Sequence, residues 1–145
     1  MEIKKIFKTG RATTPKDCIN EAYRYYNNAK EILKNIPIEY NAYKDVKKLQ
    51  KACAIGYLAV LYAIDGFLLS KGIPREKLPT SIDDYWNMLE KYSQKNGKVI
   101  TELTIVYQNL HVFGYYRGAI DVEMIKSGFK NAKNLIDYFA QFIKK

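Results

Sequence analysis

Apolar residues recur along most of this chain at alternating spacings of three and four, which is the period of one face of an α-helix. The first run begins after Thr14 and Pro15, an N-cap residue followed by proline at the first helical position. Its apolar face comprises Cys18, Ala22, Tyr25, Ala29, Ile32 and Ile36. Because the residue before Pro37 avoids the α region, the pattern predicts a first helix that ends near Asn35.

A second, longer apolar segment predicts a helix from about Tyr40 to Lys71, which stops at Gly72 as a C-terminal cap. One seam of this helix consists of small residues that would let a neighbouring helix approach closely: Ala52, Gly56, Ala59, Ala63, Gly66 and Ser70. The stretch 52–69 contains Asp65 as its only charge, so a membrane span is the alternative interpretation. We favour a central buried helix, since a helix that is apolar on nearly all sides must be surrounded by others.

The remaining sequence predicts three further helices. Thr80 and Ser81 would cap the third, which ends at Asn96 and Gly97. The fourth follows a stripe that frays near residue 114: Val99, Leu103, Val106, Leu110 and Phe113. After a turn over 115–120, Asp121 would cap the last helix, whose seam is Val122, Ile125, Phe129, Ala132, Ile136, Phe139 and Ile143.

These patterns predict an all-α fold: an antiparallel up-and-down bundle of four to five helices with a long central second helix. Only Met1 to Phe7 alternates as a strand would, and one strand has nothing to pair with. The length of 145 residues is typical of a single domain, so we expect one domain over 1–145. Residues 1–13 are expected to be a flexible basic N-terminal segment.

The chain is basic, with 24 Lys and Arg against 15 Asp and Glu and a net charge of +9. Much of the excess lies in two clusters, which comprise Lys4, Lys5, Lys8, Arg11 and Lys16, then Lys44, Lys47, Lys48 and Lys51. Such a surface attracts nucleic acid, but it also keeps a protein soluble, and no nucleic-acid motif accompanies it. The start of the chain lacks the apolar core of a signal peptide, so we expect a cytoplasmic protein without a membrane partner.

The inventory of chemically active side chains is small. Cys18 and Cys53 lie among apolar residues and are expected to be buried thiols. His111 is the only histidine, and no metal-ligand spacing or glycine-rich phosphate loop occurs, so we expect neither a metal site nor a cofactor. An enzyme is therefore not favoured; the alternative is one that uses His111 with Asp65 or Asp121.

The most informative segment runs from residue 108 to 117 and gathers polar, aromatic and basic side chains at the end of the fourth helix. We predict a binding or contact site there, formed by Gln108, Asn109, His111, Phe113, Tyr115, Tyr116 and Arg117. The structural alternative is that the tyrosines seal the end of the bundle while Arg117 stacks on a ring or pairs with Asp121.

A carboxylate inside an apolar helix also needs a partner, and for Asp65 we expect Arg24 or a tyrosine hydroxyl of the first helix.

The layout resembles the HEPN superfamily (higher eukaryotes and prokaryotes nucleotide-binding domains). Residues 48–72 look like its long second helix, and 103–142 look like its last two helices. Ribonuclease members carry an arginine, often followed by asparagine, and a histidine before Gly-Tyr. Here Gln108 and Phe113 occupy those positions, and His111 falls two places early. The resemblance therefore implies the fold without RNA cleavage, since neither side chain can stabilise a phosphate charge or transfer a proton.

These observations favour a non-catalytic HEPN-like binding or interaction module. The resemblance also implies a homodimer and a protein partner such as a nucleotidyltransferase. The alternative is a nucleotide- or RNA-binding protein, related to toxin–antitoxin systems, that uses the basic surface and Arg117.

Overall fold

The computed structural model describes residues 12–93 and 97–143, and within them the fold is the predicted all-α bundle. Its helices are α1 (Pro15–Lys34), α2 (Val46–Ser70), α3 (Ile82–Tyr92), α4 (Gly97–Val106) and α5 (Val122–Ala140), with a π-helix (Tyr107–Tyr116) that continues α4. The alternating stretch Met1–Phe7 and most of the basic N-terminal segment lie outside the described residues.

The first two helices run antiparallel, as predicted. Near the start of α1, Cys18 lies close to Gly66 in the last turns of α2. Further along α1, Tyr25 packs on the earlier α2 residue Tyr62, with ring centroids 5.0 Å apart. The π-helix and α5 are also antiparallel, because the Asn109 amide donates to the Met124 carbonyl at 3.0 Å while Asn134 near the end of α5 donates to Glu102 of α4. Both pairs therefore agree with the predicted antiparallel bundle.

The long second helix lies at the centre of the bundle. It is long and apolar enough to cross a membrane, yet 72% of its most apolar stretch is buried by the other helices, as in the core of a soluble protein. The small-residue seam makes the predicted close contacts: a Cβ on Gly56 would lie 2.7 Å from the Phe129 ring of α5. Ser70, at the end of the seam, is instead exposed.

The start of α2 was predicted too early. Residues 38–43 form a two-stranded antiparallel hairpin, β1 (Ile38–Glu39) and β2 (Ala42–Tyr43), and α2 begins only after Asp45, whose side chain accepts a bond from the Lys48 backbone. Tyr40 and Asn41 at the tip have φ of 52° and 60°. Two consecutive left-handed residues form the turn that matches the twist of paired strands. This hairpin also corrects the expectation that the only strand signal lies at the N-terminus.

The predicted helix caps are confirmed where the structure describes them, and so is the stop at Gly72, whereas the predicted end of the third helix is wrong. Thr14, Ser81 and Asp121 each accept a hydrogen bond from the backbone three residues later, at 3.1, 3.2 and 3.3 Å respectively. Gly72 follows α2 with φ of 92°, a conformation that glycine adopts at little cost. The third helix ends at Tyr92, earlier than predicted, and Gly97 begins α4 rather than ending α3; Asn96 lies outside the described residues.

Asp65 is 3% exposed, and the hydroxyl of Tyr85 in α3 donates to its carboxylate at 2.8 Å. The expectation of Arg24 as its partner is wrong. The guanidinium of Arg24 is exposed and pairs with Glu21 one turn earlier at 2.7 Å. The buried hydrogen bond to Asp65 thus comes from α3, 20 residues later in the chain, and not from α1 as expected.

Candidate binding surface at the π-helix

The predicted contact segment adopts a π-helix, in which backbone bonds reach one residue further than in an α-helix. The Arg117 amide donates to the Val112 carbonyl at 2.9 Å, which closes its last turn. Wider turns place residues four apart on the inner face, so Leu110 and Gly114 are buried. Phe113, predicted to continue the buried stripe, is instead 42% exposed. The helix type, rather than the apolar pattern, decides which ring faces solvent.

Gly114 explains why the π-helix can pack against α2. A Cβ at this position would lie 2.5 Å from the Cys53 sulfur and 3.0 Å from the Asn109 carbonyl oxygen. Only a residue without a side chain fits there without displacing a neighbour. Burial raises the pKa of the Cys53 thiol to about 12, so Cys53 acts as a packing group at this contact.

Six of the seven predicted contact residues divide into an initial polar pair and a later exposed group; the seventh, His111, lies in the aromatic seam described below. Asn109 is partly buried and structural, because its amide bonds to the Met124 carbonyl of α5. Gln108 is exposed on the outer face of the π-helix. The exposed group near the end of the helix consists of Phe113, Tyr115, Tyr116 and Arg117. The segment therefore presents one aromatic and basic surface near its C-terminal end, and its first polar pair does not converge on it.

Arg117 adopts one of the two structural alternatives. Its guanidinium lies over the ring of Tyr116, 5.5 Å from the centroid, and Tyr116 is itself 71% exposed. Such cation–π contacts at the surface contribute about 0.5–1 kcal/mol. The contact holds a charged group and an aromatic face together at the surface.

His111 lies in a row of aromatic rings along the seam between α2 and the π-helix. It stacks on Tyr57 of α2 with centroids 4.6 Å apart and planes 24° apart. Tyr107 and Tyr115, four residues to either side, lie 5.4 and 5.9 Å from it. Burial lowers the pKa of His111, so the imidazole is predominantly neutral at pH 7. The sole histidine is thus held in an aromatic environment.

The exposed aromatic residues belong to a larger apolar end of the bundle. The hairpin is joined to the segment before α5 by backbone bonds from Tyr43 to the Ile120 carbonyl at 3.0 Å and from Val122 to the Asn41 carbonyl at 3.2 Å. Val46 lies beside Gly118, close to the end of the π-helix. We call this surface the aromatic end; its members are Ile38, Tyr40, Val46, Phe113, Tyr115, Tyr116 and Ile120, each at least 37% exposed.

A family model matches residues 17–141 of the chain. The chain belongs to the DUF5618 family, a domain of unknown function. A solved structure, a protein of unknown function from Dyadobacter fermentans, is similar to it with a TM-score of 0.74 and 29% sequence identity. The similarity covers 88% of this chain and 97% of that one. No curated protein matches the chain.

Sequence reasoning missed the contribution of α2 and the hairpin to the surface of this DUF5618 domain. Tyr57 was one of many apolar positions in a helix, and nothing in the sequence places it under His111. Tyr40 was assigned to the first turn of α2. The dipeptide Tyr40-Asn41 between short β-forming residues was an available turn signal, but tyrosine is rarely found at a left-handed position.

Proposed function

We propose that this DUF5618 domain is a non-catalytic binding module that acts through its aromatic end. The observation that carries the proposal is Tyr40, which is 96% exposed at the tip of a hairpin whose backbone it strains. A bulky side chain in a left-handed conformation costs stability, and such costs persist mainly at functional positions. Exposed aromatic residues on a rigid support are also the residues that most often dominate binding energy.

The gathering of exposed apolar residues from several chain segments at the aromatic end supports this proposal. Monomeric proteins rarely expose large contiguous apolar patches, whereas single exposed apolar residues are normal. Elsewhere in the described residues, Leu58 and Phe142 are exposed to a similar extent, at 42% and 43%. Phe142 nevertheless packs on Phe67 with ring centroids 5.4 Å apart. Among the described residues, exposed apolar side chains from three chain segments therefore come together at this end of the bundle.

The partner that we propose is a second copy of the chain. A two-fold interface must be self-complementary, so its rim needs both charge signs. The aromatic end carries Arg117 beside the exposed carboxylates of Asp121 and Glu123, and the hairpin holds the ion pair between Lys44 and Glu39 at 3.0 Å. Two copies related by a two-fold axis could thus place Arg117 opposite a carboxylate around an aromatic centre.

Sedimentation velocity of the wild-type chain and the Tyr40→Asn variant tests this proposal. Asparagine tolerates the left-handed conformation, so the variant should unfold at the same or higher denaturant concentration. Its dimer dissociation constant should nevertheless rise at least tenfold, about the effect of losing an interface anchor. Leu58→Asn removes a comparably exposed side chain elsewhere and should leave association unchanged. A wild-type chain that stays monomeric at high concentration, or equal effects of both variants, would contradict the proposal.

The HEPN-like resemblance is consistent with this function and remains a proposal of its own. A module of that kind with Gln108 and Phe113 in the positions of the catalytic pair would bind without cleaving. Absence of RNA cleavage alone would not establish it.

Nucleic acid is a second candidate partner, favoured by one observation. Lys47, Lys48 and Lys51 are exposed on the first turns of α2, and none forms an ion pair within the described part of the chain. The neighbouring Gln50 amide donates to the Tyr115 carbonyl at 2.9 Å, so these lysines lie near the aromatic end and Arg117. Binding to a labelled single-stranded RNA should then weaken steeply with salt and with Arg117→Ala. Salt-independent binding, or none at low salt, would exclude this role.

A further inference from the structure

A cleft between α2, α3 and the π-helix lies outside the aromatic end and has a volume of about 290 Å³. Its aromatic walls are Tyr57, Tyr85, Tyr107 and His111, and the exposed residues Thr80 and Ser81 line it at the start of α3. Three separate segments of the chain therefore bring four ring side chains and two hydroxyl side chains around one space.

The rings that line this cleft contact one another. Tyr107 and His111 lie with planes 31° apart and centroids 5.4 Å apart, and His111 is nearly parallel to Tyr57. Tyr85 is fixed in position, because its hydroxyl donates to the buried carboxylate of Asp65. A space bounded by fixed aromatic side chains favours another planar ring system over a flexible or branched molecule, since contacts between rings add to simple burial.

The polar groups of the cleft are neutral. Burial lowers the pKa of His111, so its imidazole offers one donor and one acceptor, and burial raises the pKa of Tyr57 to about 12, so its hydroxyl stays protonated. No lysine or arginine lines the cleft within the described residues. Asp83 and Asp84 in the first turn of α3 would disfavour an anion at that helix end.

A second cleft provides a contrast on the same helix. It has a similar volume of about 260 Å³ and lies against a different face of α3, with Met88, Leu78 and Lys91 among its lining residues. None of the residues that line it is aromatic. The ring-lined character therefore belongs to one cleft and is not a general property of the surface around α3.

We propose that the ring-lined cleft binds an uncharged, planar heteroaromatic small molecule of one or two fused rings, in contact with the aromatic walls and hydrogen-bonded to His111. The volume is just below the range usual for drug-sized ligands, which limits the occupant to a compact ring system. The cleft shares no lining residue with the aromatic end, and its ligand is not needed for association of two copies.

The chain carries two natural reporters of this cleft. His111 is its only histidine, and Trp86 is its only tryptophan. The indole of Trp86 packs edge-on against Tyr107 with centroids 5.7 Å apart. We would titrate the full chain with benzimidazole, which is neutral at mildly alkaline pH, and follow Trp86 fluorescence and the His111 imidazole resonances. Both signals should change and saturate with one dissociation constant, whereas non-planar cyclohexanone should produce no saturable change.

Matched variants locate the binding. Leu61 lines the cleft and is partly exposed, so Leu61→Phe should fill the space, and His111→Leu removes the polar contact. Each should weaken binding at least about tenfold. Met88→Phe fills the second cleft in the same way and should leave the affinity unchanged.

Several results would overturn the proposal. These are the absence of saturable change in either wild-type reporter, equal affinity for cyclohexanone, or equal weakening by Met88→Phe and Leu61→Phe. Circular dichroism would establish that each variant folds. If the cleft variants do not fold, the two wild-type titrations decide the outcome, because both reporters adjoin the ring-lined cleft.

Discussion

Replacing Gly56 with alanine tests whether the close approach of α2 and α5 is required by packing. The added methyl group would lie 2.7 Å from Cε1 and 3.1 Å from Cζ of Phe129. That ring is 1% exposed and is also contacted by Tyr26, whose centroid is 6.1 Å away, and by the Lys30 ammonium group. The ring has little room to withdraw, so either the two helices must separate or the ring must leave its preferred rotamer.

The expected change in free energy is the sum of two opposing effects. Alanine stabilises a helix interior by about 0.5–1 kcal/mol relative to glycine. Overpacking a close-packed core costs about 1–3 kcal/mol. The packing cost should win, and we expect Gly56→Ala to lower the free energy of unfolding by about 1–2 kcal/mol. For a chain of this length the melting temperature should fall by about 3–8 °C.

Urea unfolding followed by circular dichroism measures this effect. Gly97→Ala is the matched control, since no described atom lies within 4 Å of a Cβ at that position, and it should be neutral or slightly stabilising. Phe129→Leu should relieve the clash, so the double variant should be more stable than the two single changes predict, by more than about 0.5 kcal/mol. If Gly56→Ala stabilises the protein as the control does, or if the two changes add, the packing explanation is refuted.

Two further predictions concern buried polar groups. Tyr85→Phe removes the hydroxyl that donates to Asp65 and should lower the free energy of unfolding in urea by about 1.5–3 kcal/mol. Arg24→Ala removes only an exposed pair with Glu21 and should have no measurable effect. Similar losses from both variants would indicate that Arg24 is the partner of Asp65 after all. Burial lowers the pKa of His111 below its usual 6.5, so on acidification the unfolded chain protonates this imidazole before the folded chain does. The stability that neutral His111 confers is therefore complete above about pH 6.5 and is lost as the pH falls toward the folded pKa. The unfolding midpoints of wild type and His111→Phe should therefore diverge in that window, and parallel pH profiles would contradict the lowered pKa.

Local signals in the sequence were sufficient for most helix ends. The caps at Thr14, Ser81 and Asp121 depend on one side chain and a backbone amide three residues away, so the chemistry is contained in four consecutive residues. Gly72 needs only its own freedom at positive φ. The core face of α5 was also predicted correctly except for its end, where Ile143 is only partly buried.

The predictions are wrong where the local sequence permits two backbone conformations. Residues 38–45 have enough apolar character to extend α2, yet the hairpin forms because its backbone also bonds to the segment before α5. The stripe that ends at Phe113 fits an α-helix, but in the π-helix Gly114 packs against Cys53 and Phe113 is exposed. In both cases a distant partner selects between conformations that the local sequence permits.

The amino-acid sequence by itself determined the helical class, the central position of α2 and most of the helix caps, because periodicity and capping act over a few neighbouring residues. Tertiary structure decided what the surface offers to a partner. In the folded chain Phe113 faces solvent, Tyr40 is exposed at the tip of a hairpin, and His111 packs against Tyr57 of another helix. These arrangements depend on contacts between segments far apart in the chain, and such contacts leave no periodic signal in one sequence.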